Sequence, residues 1–111
     1  MADIPLINNV KISSVDTITS LYTSPAAGAG TIITAFTVSN NSSSSASYKA
    51  YIVDSGGTVI DPVVPLKIVI KDRFDSAPSM INQVVPAGGT IRAENSAAST
   101  LNFYASGREQ A

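Results

Sequence analysis

The sequence predicts an all-β protein: an antiparallel β-sandwich, jelly-roll-like, with eight to nine short strands. Three observations predict it. Gly, Pro, Ser, Thr and β-branched residues dominate, and no apolar repeat follows the 3.6-residue period of a helix. Several segments alternate apolar and polar residues at period 2. One turn phrase occurs twice, as Pro25-Ala26-Ala27-Gly28-Ala29-Gly30-Thr31-Ile32 and as Pro86-Ala87-Gly88-Gly89-Thr90-Ile91. Proline pre-sets φ and glycine supplies positive φ, so each phrase reads as a turn between antiparallel strands.

In chain order, strands are expected at about 9–14, 16–23, 31–39, 46–53, 58–61, 65–72, 80–85, 90–94 and 100–106. Between Thr31 and Ser39, strict alternation puts Ile32, Thr34, Phe36 and Val38 on one face, with Ile33 and Ala35 on the other. Asn40–Ser45 is a polar loop, and Asp54-Ser55-Gly56-Gly57 is a hairpin-type turn. Pro62 and Pro65 forbid a continuous central strand between them. In Leu66–Arg73, Leu66, Ile68 and Ile70 point one way while Lys67, Lys71 and Arg73 point the other. Asp75–Ser79 and Asn95–Ser99 are loops. In Thr100–Ser106, Leu101, Phe103 and Ala105 oppose Asn102, Tyr104 and Ser106. Eight or nine strands at this spacing fit two packed sheets.

A chain of 111 residues makes one domain. Residues 10–107 form the sandwich, 1–9 an N-terminal arm or edge segment, and 108–111 a short tail. Ile4, Pro5, Leu6 and Ile7 form an apolar tetrad that must be covered, either as an edge strand of its own domain or as an arm on a neighbouring subunit. With no cysteine, there is no disulfide framework. Residues 1–9 lack a signal peptide's basic and apolar regions, and no apolar run reaches the ~18–20 residues of a membrane-spanning helix. The chain reads as a soluble cytoplasmic product, with no membrane partner.

The net charge is −1, and 14% of residues are charged, against roughly 25% in ordinary domains. No basic stripe is present, which argues against nucleic-acid binding. A polar but weakly charged surface costs less to desolvate, which suits a protein packed against others.

The motifs argue against an enzyme. With neither histidine nor cysteine, Ser-His-Asp and Cys-His constellations cannot form, and zinc would have only carboxylates. Gly28 and Gly30 precede no helix, so they are turn chemistry rather than a phosphate cradle. Nothing gathers the eight carboxylates into an acid/base pair, and sugar platforms are scarce, with 6% aromatics and no tryptophan. Asp54, Asp72 and Asp75 are too sparse for a calcium loop. No cofactor or metal is expected. Asn40-Asn41-Ser42 and Asn41-Ser42-Ser43 fit the glycosylation pattern but read as a polar loop. Tyr22, Tyr48, Tyr51 and Tyr104 read as half-buried residues with hydroxyls at the rim, or as interface anchors. Arg73 and Phe74 stand out as an exposed anchor pair, since arginine and aromatics are enriched at interfaces.

Leu21-Tyr22-Thr23-Ser24-Pro25-Ala26 resembles the Leu-Tyr-Thr-x-Pro-Ala-Gly opening of small β-domains in tailed-phage structural proteins. Thr31-Ile32-Ile33-Thr34, Val38-Ser39-Asn40, the second turn phrase and Ala105-Ser106-Gly107-Arg108-Glu109 fit the same pattern, over roughly residues 16–109. A stand-alone chain of this length resembles the small capsid decoration, or cement, proteins of epsilon-fifteen-like podophages. That resemblance implies a jelly-roll-like virion protein on the outer capsid surface, with the major capsid protein as partner and homodimers at two-fold positions. It would be made in the host cytoplasm. A tail, neck or fibre component with a receptor- or glycan-binding β-domain is the alternative. The resemblance supplies no binding motif, so Ile4, Pro5, Leu6, Ile7, Arg73 and Phe74 stand as interface candidates on their own chemistry.

Overall fold

The computed structural model describes residues 3–69, 73–77 and 80–111, and only the backbone within 61–68. The strands are β1 (Ile4–Val10), β2 (Thr19–Thr23), β3 (Gly30–Asn40), β4 (Ala46–Val53), β5 (Val59–Val69), β6 (Arg73–Ser76), β7 (Val84–Val85), β8 (Thr90–Asn95) and β9 (Leu101–Gln110). One sheet, here sheet A, runs β1-β9-β3-β6, with β7 also paired to β3; sheet B runs β2-β8-β4-β5. All pairings are antiparallel.

The pairings nest around one point. Ile4 pairs with Gly107, Tyr22 with Ile91, Ile32 with Val84, Val38 with Asp75, and Val53 with Val59. The chain is therefore one long ribbon doubled back at Asp54–Thr58 and rolled into two sheets, which is the jelly-roll arrangement. Rolling adds the β3–β9 and β4–β8 pairings. At the tip, the Asp54 Oδ1 atom accepts N–H bonds from Gly56 and Thr58, both at 2.9 Å.

The repeated phrase does a different job from the one its sequence suggests. Neither copy is a hairpin turn within a sheet. Pro25–Gly30 carries the chain from sheet B to sheet A, and Pro86–Gly89 carries it back. The two corners lie side by side. Ser24 N–H donates to the Gly89 carbonyl at 2.8 Å, and Gly88 N–H donates to the Pro25 carbonyl at 3.0 Å. Within the second corner, Gly89 N–H donates to the Pro86 carbonyl at 2.8 Å, and Gly88 sits at φ 74°, as a type II turn requires.

Several boundaries differ from the sequence reading, each for a physical reason. The first strand is Ile4–Val10, because Ile7 has a core position to fill and residues 11–18 must turn into β2. Residues 59–69 form one strand despite Pro62 and Pro65. β5 lies at the edge of sheet B, where proline is tolerated, and its ladder with β4 carries two register shifts. Residues 80–83 turn rather than extend, and only Val84 and Val85 pair with β3. The expected tail is strand, since β9 runs to Gln110. In β3, a register shift between Ile33 and Ala35 reverses the alternation, so Ile33 joins Phe36 and Val38 in the core while Ile32 is only half-buried. The side-chain directions expected for Leu66, Lys67, Ile68, Ile70 and Lys71 lie outside the described residues.

The core fills the space between the sheets. Phe36, Val38, Leu101 and Phe103 come from sheet A, and Tyr48, Ile52 and Ile91 from sheet B. Tyr48 and Phe103 meet edge to face, with ring centroids 5.8 Å apart at 85°. Met80, on the turn between β6 and β7, is fully buried.

Candidate functional site

The two outer faces differ in chemistry. On sheet B, β4 and β8 place Lys49 opposite Glu94 and Tyr51 opposite Arg92. Lys49 Nζ lies 3.9 Å from Glu94 Oε1, and Tyr51 donates its hydroxyl to the same oxygen at 2.8 Å. Burial, reinforced by that carboxylate, pushes the Tyr51 phenol up to about 12. This face is charged and internally paired.

The outer face of sheet A is different. Cross-strand partners share a face, so Tyr104 lies beside Thr37, Thr37 beside Ser76, and Ser39 beside Phe74. The buried neighbours Val38 and Phe103 face inward, which fixes this set as outward. Small hydroxyl and methyl groups make the floor. Phe74, 71% exposed, and Val84, 44% exposed, stand at the β6/β7 margin. At the other margin lies a groove of about 340 Å³, lined by Ile4, Pro5, Asn8, Ala35, Tyr104 and Ser106 among others. β1 is bulged there, with register shifts on both sides of Ile7 and Asn9 at φ 54°. Tyr104 donates its hydroxyl to Asn9 Oδ1 at 3.2 Å, which fixes the ring at the groove. The charges at this corner compensate each other. Arg108 Nε donates to Asp3 Oδ1 at 2.7 Å and Thr34 Oγ1 to Asp3 Oδ2 at 2.9 Å, and these bonds hold the Asp3 carboxyl below its usual range.

The six candidates from sequence fall at two separate places. Ile4 is 39% exposed and Pro5 is exposed, both lining the groove. Leu6 is half-buried against the core, and Ile7, 2% exposed, belongs to it, which takes Ile7 off the surface. Arg73 and Phe74 lie on β6, at the far side of β9 and β3. Three strand spacings separate β1 from β6, roughly 14 Å. The sequence reading offered Tyr104 as a rim residue or interface anchor without placing it at a groove, and it missed Val84 at the margin. The alternation of β9 put Tyr104 opposite Phe103, but only the strand order shows that it borders Pro5 and Ala35.

The free edges are poor templates for a further strand. β1 carries Pro5 and two register shifts, β2 is five residues long with its own shift, β5 carries two prolines, and β6 has four residues. Proline removes a donor and bulges bend the ladder, so each edge is interrupted.

Inside the sandwich, polar groups serve the fold. Tyr22 donates to Glu109 Oε2 at 2.6 Å, so Thr31 Oγ1, 2.8 Å away, must donate to Tyr22, and Ser24 Oγ in turn to Thr31 at 2.8 Å. This donor chain crosses the corner from β2 to β9. Burial above all, then Glu109, raises the Tyr22 pKa. Asn40 is buried and uses both ends of its amide. It donates to the Ser44 and Val69 carbonyls and accepts from the N–H and hydroxyl of Ser42. Its glycosylation pattern is therefore loop architecture. Asp54 shapes the ribbon tip and Asp75 bonds Tyr48, so these two carboxylates do not converge; Asp72 lies outside the described residues. Among the described residues, no three Asp or Glu side chains gather as a metal site. No helix among the described residues is long and apolar enough to cross a membrane. No protein-family model matches the chain, and no curated protein or solved structure shows significant similarity to it.

Proposed function

We propose that the chain is a structural virion protein that binds the outer surface of an assembled phage capsid and clamps neighbouring major capsid subunits. The observation that carries this reading is the outer face of sheet A: floored with small residues, framed by exposed apolar groups, and with its Asp3–Arg108 pair held at one corner. The resemblance of Leu21–Ala26 and of the two corner phrases to phage β-domains supports the particle as the setting. A protein that binds only the assembled shell stabilises it by RT ln(1 + [L]/Kd), about 2.7 kcal/mol at a hundredfold excess over Kd. A homodimer at a two-fold position would gain avidity, because its second contact is intramolecular.

Co-sedimentation with empty shells, followed by heating of the loaded shells, tests the proposal. Saturable binding in hundreds of copies and a raised shell-disruption temperature are expected. A handful of copies at one vertex would favour a tail or neck component, and no binding to shells would refute a capsid role. Deleting the N-terminal segment is a poor probe, because Ile7 belongs to the core.

A further inference from the structure

We draw no further inference here: the strongest candidate, the groove between the bulged β1 and Tyr104 on the outer face of sheet A, is unpartnered, and nothing in the structure shows what covers it.

Discussion

Tyr48 reaches across the sandwich to donate its phenolic proton to Asp75, joining β4 of one sheet to β6 of the other with a 2.5 Å hydrogen bond. The phenol is almost wholly buried and its ring packs against Phe103. β6 is only four residues long, so this bond and its ladder to β3 are what fix Phe74 at the sheet margin.

Tyr48→Phe should therefore destabilise the protein by about 1–3 kcal/mol, the cost of leaving a half-buried carboxylate without its donor. Urea denaturation measures it. Amides of β6 should exchange faster in the variant, while those of β8 stay as in the wild type.

The phenols also set an alkaline limit. Burial, and then carboxylate partners, raises the pKa of Tyr22, Tyr48 and Tyr51 above the usual 10, to about 12 for Tyr51. In the unfolded chain these groups ionise near pH 10. Above that pH the native state holds protons that the unfolded state has released, so stability is complete below pH 10 and falls as pH rises through 10 toward 12. Urea midpoints at pH 9, 10 and 11 should fall more steeply for wild type than for Tyr51→Phe. Absorbance at 295 nm should show Tyr22, Tyr48 and Tyr51 titrating late.

At the acid end, Asp3 gives a local reading. Arg108 holds its carboxyl low, so Arg108→Ala should return the Asp3 titration toward the ordinary aspartate range. Carbon-detected NMR of the carboxylate checks this. Global stability should change little, because both groups are largely solvent-exposed.

Thr31→Val replaces a hydroxyl with a methyl at nearly constant volume, in a site with no exposure. It breaks the donor chain in the middle, leaving Ser24 without its acceptor and Tyr22 without one of its donors. A loss of about 1–3 kcal/mol is expected, read from thermal and urea unfolding.

The first corner is sterically closed. A Cβ at Gly28 would lie 2.4 Å from the Gln110 carbonyl oxygen, on a backbone already at φ 101°. At Gly56 the nearest atom to a built Cβ is Asp54 Oδ1, at an ordinary 3.4 Å. Gly28→Ala should cost several-fold more stability than Gly56→Ala and should release the end of β9, seen as faster amide exchange at Ala29.

The parts of the fold that follow strict alternation were legible in the sequence. Leu101, Phe103 and Ala105 face the core as their period-2 pattern requires. Legibility failed where one extra residue changed the parity, as between Ile33 and Ala35, because a bulge leaves no mark in apolar content. It failed at Pro62 and Pro65 because a proline's meaning depends on whether its strand is at an edge, which only the sheet order decides. The exposure of Phe74 was readable from its position at a strand end. Its shared face with the Tyr104 groove was not, since β6 and β9 meet only through β3.

Because the pairs nest around Asp54–Thr58, the fold escapes an entropic difficulty of large β-proteins. Joining Ile4 to Gly107 in a single step would close a loop of nearly the whole chain. Closure cost grows with the logarithm of loop length, about 0.6 kcal/mol for each doubling, and must be met before distant contacts form. Starting from the β4–β5 hairpin, each further pair encloses only the few residues of the next connection. The chain can close like a zip from its middle, with its two termini the last parts to be secured.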